Sequence, residues 1–312
     1  MQNNNLKCIF FGTPDLAVPF LKVLNKNNVS IEAVVTQPDR PAGRHKILTA
    51  PPIKLAAQGL DLKTIQVNSL KDSQTLDTII SINADIYIVV AFGLIIPKEL
   101  LEVPRFGIIN FHPSLLPKYR GASPISSPIL AGDTTTGMTI MKMTEGLDCG
   151  PIINQKNISI DVDETSKTLT NKFMTQGPDW LYQTLLDYSS GKLNIKLQDE
   201  SKATLTKQMN KSDGHVDWSK EAQLIERMIR AYNPWPGVYT FYNGKRINLI
   251  KANVNISLSA PAGQVFQKDG HIYVGTEKGA LELQVIKPSS KNDTPVLDFI
   301  RGHSDFVGSK LT

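Results

Sequence analysis

Residues 107–124, GIINFHPSLLPKYRGASP, run from an apolar strand into an irregular loop. Residues 108–111 form the strand, which carries Asn110 and is followed at once by His112. A strand sends every second side chain to the same face, so Asn110 and His112 point toward one site. Pro113, Ser114, Pro117 and Gly121 then break regular structure. An amide donor and a titratable imidazole converging at a strand's end suit stabilisation of an oxyanion together with movement of a proton. Taken alone, Asn-x-His reads more readily as a turn cap beside a hydrogen-bonded histidine than as a catalytic pair.

Working outward, residues 8–11, 31–35 and 85–92 are short β-branched or aromatic runs suited to buried parallel strands. Helical patterns at 16–24 and 70–82 lie between them. Alternating strands and helices predict a doubly wound, Rossmann-like α/β domain. In such open sheets the ligand lies beyond the carboxyl ends of the strands, where Asn110 and His112 fall. The first turn reads Gly12-Thr13-Pro14-Asp15 rather than G-x-G-x-x-G, so no nicotinamide or flavin dinucleotide is expected.

A helical stretch at 164–188 closes this domain, which is expected to span residues 1–188. Residues 189–207 are polar and poor in large apolar side chains, and read as a linker. Beyond it, one helix (221–231) precedes five short alternating runs at 238–241, 247–252, 264–266, 271–274 and 281–285. Asn243-Gly244 and Asp269-Gly270 suit two-residue hairpin turns. A helix and five strands predict a small barrel over residues 208–312.

The 312 residues exceed what one core usually holds, and 41% hydrophobic with 20% charged residues describes an ordinary globular chain. Of the net +5, +4 falls from Leu205 onward, with 14 Lys and Arg against 10 Asp and Glu. That excess fits a polyanionic partner or serves solubility alone. Two cysteines and five scattered histidines give neither a disulfide framework nor a metal-ligand spacing, so no metal is expected. No run approaches the roughly 20 apolar residues that span a bilayer. MQNNNLK has no apolar signal region, so no membrane association and a cytoplasmic location are the expectations; a monomer is expected as well.

Asn110-Phe111-His112-Pro113-Ser114-Leu115-Leu116-Pro117, with Arg120-Gly121 behind it, resembles the core motif of formyltransferases that use 10-formyltetrahydrofolate. Residues 145–150, Glu-Gly-Leu-Asp-Cys-Gly, resemble the loop that bears their catalytic aspartate. Residues 36–44 (TQPDRPAGR) and 229–238 (IRAYNPWPGV) narrow the resemblance to the methionyl-tRNA formyltransferase family. These motifs occur in family order across nearly the whole chain. The resemblance implies formyl transfer from 10-formyltetrahydrofolate to methionyl initiator tRNA for translation initiation, and an OB-like fold for the barrel.

It also implies roles for single residues. Asn110 would bind the oxyanion, His112 would carry the proton, and Asp148, otherwise a plausible turn residue, would order the charged ring. Phe92, Gly93 and Leu94, with Ser114, Leu115, Leu116 and Pro117, would line the folate. Residues 37–49 are long for a strand–helix connection. In the family the equivalent loop enters the tRNA acceptor stem, which assigns tRNA binding to Arg40, Arg44 and Lys46. His45 and Ile47 stand where the family pattern has Gly and a second Lys. Cys149 replaces the usual threonine and is read as packing, because Glu145 and Asp148 oppose a thiolate. The alternatives are another folate-dependent formyltransferase, a 10-formyltetrahydrofolate hydrolase, and a non-catalytic tRNA-binding protein.

Overall fold

The computed structural model describes residues 6–43 and 46–312, and the chain divides into two compact units. The first comprises residues up to Pro124, Thr135–Ser159 and Thr170–Thr206; the second comprises Ile125–Thr134, Ile160–Leu169 and Lys207–Thr312. The chain therefore passes between the units five times, where the sequence had suggested a single passage.

The strands of the first unit are β1 (Lys7–Gly12), β2 (Ser30–Thr36), β3 (Arg40–Ala42), β4 (Ile47–Thr49), β5 (Thr64–Gln66), β6 (Ile86–Val90), β7 (Ile108–His112), β8 (Arg120–Gly121), β9 (Thr135–Lys142), β10 (Ile152–Ser159) and β11 (Leu205–Thr206). Seven form the main sheet in the order β10-β9-β7-β6-β1-β2-β5. The run from β7 to β5 is parallel, and β9 and β10 add antiparallel pairs at one edge. The near-continuous apolar sequences of β1 and β6 are buried along most of their length, as parallel strands covered on both faces require. Helix Val18–Lys26 buries Phe20, Leu21 and Leu24 on one face, and Asp72 caps helix Ser73–Ile80 by accepting the Thr75 N–H at 2.9 Å. Phe11 packs against Tyr87 and edge-on against Phe92, with centroids 5.6 and 5.3 Å apart. Each such ring taken fully out of water contributes about 1.5–3 kcal/mol.

Two stretches read as irregular have defined structure. Within residues 37–49, β3 and β4 pair antiparallel. Its root is tied by Asp39, which accepts Lys54 Nζ at 2.8 Å and Gln66 Nε2 at 2.7 Å. Of residues 189–207, expected as a linker, all but Lys207 belong to the first unit. Leu205 and Thr206 pair parallel with Arg120 and Gly121, and Ile152 bridges Lys196. The absence of apolar periodicity hid these ties, because they are made by backbone and polar groups.

The second unit contains β12 (Val238–Tyr242), β13 (Lys245–Asn255), β14 (Val265–Lys268), β15 (His271–Gly275), β16 (Ala280–Pro288) and β17 (Thr294–Pro295). The antiparallel order is β12-β13-β16-β15-β14, with β17 beside β16. Asn243-Gly244 and Asp269-Gly270 have positive φ at both positions, as two-residue hairpins of this twist demand. Edge strand β14 bonds residues 308 and 309 through Val265, while edge strand β12 bonds Thr312 in both directions through Phe241. The same short segment thus satisfies both edges and closes the sheet into a barrel. Val238, Ile247, Val274, Leu283 and Phe306 fill its interior with Ile225 and Ile229 of helix Ala222–Ala231.

Candidate active site

β7 brings Asn110 and His112 to its carboxyl end. Phe111, between them, points the other way and packs on Phe20 with centroids 4.5 Å apart. A one-residue slip would exchange the faces of the polar pair and that ring, so the packing fixes the register. Asn110 is half-buried, and its amide bonds to none of the described residues. It is left with two donors to offer a bound molecule.

His112 is 4% exposed, and its Nε2 lies 3.0 Å from the Tyr119 carbonyl. A carbonyl only accepts, so Nε2 carries a proton and the neutral ring keeps its lone pair on Nδ1. Nδ1 lies 3.7 Å from Oδ2 of Asp148. Burial pushes the imidazole below its usual value of 6.5, outweighing the Asp148 carboxylate and the Tyr119 carbonyl, which both pull it upward. At neutral pH the ring is therefore uncharged and able to accept a proton at Nδ1.

Asp148 occupies the left-handed region at φ +49°, a conformation aspartate tolerates better than most residues. Its Oδ2 accepts the Gly121 N–H at 2.8 Å. Gly121 itself has φ +105°, and a Cβ there would sit 2.9 Å from the Thr206 carbonyl oxygen, so the position admits only glycine without strain. Behind this pair, Gln198 donates to the carbonyls of Asp148 and Gly150 at 2.8 and 2.7 Å. Its Oε1 accepts Arg120 Nε and Nη2 at 3.1 and 2.8 Å. Arg120 is nearly buried and forms a two-pronged pair with Glu200 at 2.7 and 2.8 Å. An amide donor, an imidazole with a free lone pair and an anchored carboxylate thus converge at one strand end. Such a set can stabilise a tetrahedral oxyanion and move a proton.

The profile of a family described as Formyl transferase matches residues 6–185, and that of Formyl transferase, C-terminal domain, matches residues 208–304. Methionyl-tRNA formyltransferase of Herpetosiphon aurantiacus is 39% identical over 302 residues, covering 96% of this chain and 99% of that protein. The chain belongs to the methionyl-tRNA formyltransferase family. The member from Chloroflexus aggregans is 41% identical over 289 residues, covering 92% of this chain and 94% of its own. Among solved structures, WlaRD, a sugar 3N-formyl transferase crystallised in the presence of dTDP and 5-N-formyl-THF, superposes with a TM-score of 0.67. It covers 93% of this chain and all of its own at 19% identity, which is a likeness of fold.

The other residues singled out by resemblance to the methionyl-tRNA formyltransferase family fall into three groups. Phe92, Ser114 and Leu116 are buried: Phe92 packs in the core, and Ser114 Oγ donates to the Lys118 carbonyl at 2.7 Å. Their side chains support the fold and leave only backbone for a ligand. Gly93 is exposed, while Leu94, Leu115 and Pro117 are half-buried. Arg40 and Lys46 are exposed on the hairpin of β3 and β4, and Arg44 lies outside the described residues. Cys149 is half-buried, and its Sγ donates to the Glu145 carbonyl at 3.3 Å. Sequence reasoning missed Gln198 altogether. Arg120-Gly121 was visible in the motif, but nothing there showed its partners. Among the described residues no three His, Cys, Asp or Glu side chains gather into a metal-binding group, and no helix is long and apolar enough to cross a membrane.

Proposed function

We propose that this chain transfers the formyl group of 10-formyltetrahydrofolate to the α-amino group of methionyl initiator tRNA in the cytoplasm, yielding N-formylmethionyl-tRNA and tetrahydrofolate. The observation that carries the mechanism is the free Nδ1 of His112, turned toward Asp148 and beside the unpartnered Asn110 amide. The methionine amine attacks the formyl carbon once it has lost a proton. Asn110 donates to the oxyanion of the tetrahedral adduct. His112 Nδ1 accepts the proton shed by the attacking nitrogen and returns it to N10 of the departing folate as the adduct collapses. While the ring is charged, the Asp148 carboxylate stabilises it across the 3.7 Å gap.

Gly93, Leu94, Leu115 and Pro117 line the folate with backbone groups and apolar edges, all of them at least partly accessible. Residues 1–188 with the 189–207 stretch supply the catalysis. Residues 208–312, with their charge excess, contact tRNA phosphates, while Arg40 and Lys46 on the hairpin, together with Arg44, meet the acceptor stem. The test is incubation of methionine-charged initiator tRNA with the protein and 10-formyltetrahydrofolate, followed by acid gel electrophoresis. A shift to the formylated species that needs both substrates is the expected outcome. Formate release without aminoacyl-tRNA would instead indicate a hydrolase, and tRNA binding without formylation would indicate a non-catalytic protein.

A further inference from the structure

We infer that Gln198 is a positioning residue for formyl transfer: its carboxamide, locked by Arg120, holds the loop that presents Asp148 to His112. The inference rests on the catalytic assignment of Asp148 and His112 made above. All the hydrogen-bonding capacity of this amide is directed. Both Nε2 protons go to main-chain carbonyls, those of Asp148 and Gly150, and Oε1 accepts two bonds from Arg120. A flipped amide would face its NH2 to the guanidinium and its oxygen to two carbonyls, so only one orientation is compatible with the site. Glu200 holds Arg120 from the far side with two bonds.

Apart from bonds within the loop, from Cys149 Sγ to the Glu145 carbonyl and between Thr144 and Cys149, little holds its outer part in place. Residues 144–147 are exposed, and the Lys98–Glu145 pair that reaches them has both side chains in solvent, where such pairs contribute little. Asp148 is therefore gripped at two points, at its carboxylate by the Gly121 N–H and at its carbonyl by Gln198. Both grips lead back to the dipeptide Arg120-Gly121. Losing the second one frees Asp148 to move away from His112, and displacement of a catalytic group by about 1 Å can cost on the order of 100-fold in rate.

The full-length variants Gln198→Ala and Gln198→Glu test this. Glutamate keeps an acceptor for Arg120 but sets a carboxylate against two carbonyls, so the Arg120 pairing survives while the loop is released. Two readouts are needed: steady-state formyl transfer, and NMR titration of the His112 imidazole in the free protein. The expectation for both variants is a kcat lowered roughly 10- to 100-fold with KM for both substrates within about twofold. The His112 titration should also move to lower pH, because Asp148, the charged group facing the ring, has withdrawn. Wild-type kcat in folded Gln198→Glu, or a lowered kcat with the His112 titration unmoved, overturns the inference. His112→Ala and Asp148→Asn run alongside: wild-type turnover in these would overturn the catalytic assignment itself, a different failure from that of Gln198.

Discussion

Oδ2 of Asp148 stands 3.7 Å from Nδ1 of His112 while accepting the Gly121 N–H at 2.8 Å. The carboxylate is thus fixed by the backbone and free to respond to the ring. Its charge stabilises the imidazolium only after a proton has arrived, which in the proposed mechanism is the moment at which that stabilisation is needed.

Substituting Asn110, the proposed oxyanion donor, should affect the transition state far more than the ground state. Asn110→Ala is expected to lower kcat on the order of 100- to 1000-fold with a small change in KM. Steady-state kinetics with both substrates check this, and near-wild-type turnover would remove Asn110 from the mechanism.

The burial of His112 also shapes stability. Its folded pKa is depressed, so between the folded value and the unfolded value near 6.5 the unfolded chain binds the extra proton. Stability should be full above that unfolded value and fall as pH drops through the folded one. Urea unfolding at pH 7 and pH 5 measures the loss, and His112→Asn should lose less over the same interval. An equal loss in both proteins would place the acid sensitivity elsewhere.

Gly121→Ala tests the backbone grip on Asp148. A side chain at φ +105° is strained and meets the Thr206 carbonyl, so the variant should lose at least about 1–3 kcal/mol of stability in chemical unfolding. Its kcat should also fall at a temperature where it remains folded, since moving this N–H releases the carboxylate.

Arg40 and Lys46 are exposed on the β3–β4 hairpin, whose root is held by the Asp39–Lys54 ion pair. Arg40→Ala and Lys46→Ala should weaken tRNA binding and each flatten its log–log salt dependence by about one unit, leaving folate affinity unchanged. An equal loss of folate affinity would assign the hairpin to the small-molecule site.

The sequence disclosed those parts of the molecule whose chemistry is periodic or contiguous. Alternation placed Asn110 and His112 on one face, and the two Asn/Asp-Gly turns marked the barrel hairpins. The hold on Asp148 was hidden because Gln198 lies 50 residues away and acts through single bonds to main-chain carbonyls, which leave no pattern in side-chain types. Phe92 shows the opposite limit, since an apolar residue after a strand reads alike whether it faces a ligand or, as here, the core. The β3–β4 pairing spans three residues per strand, too short for alternation to register.

The interleaving of the two units sets an order on how this protein can be made. Residues 125–134 and 160–169 leave the ribosome before the 207–312 stretch with which they assemble has been translated. At about 5–20 residues per second, synthesis of that stretch alone occupies roughly 5–20 s. The first unit reaches its final form on a different schedule. Asp148 is pinned at its carbonyl only when Gln198, 50 residues later, emerges to meet it, so a nascent chain halted between the two carries Asn110, His112 and Asp148 without that bond.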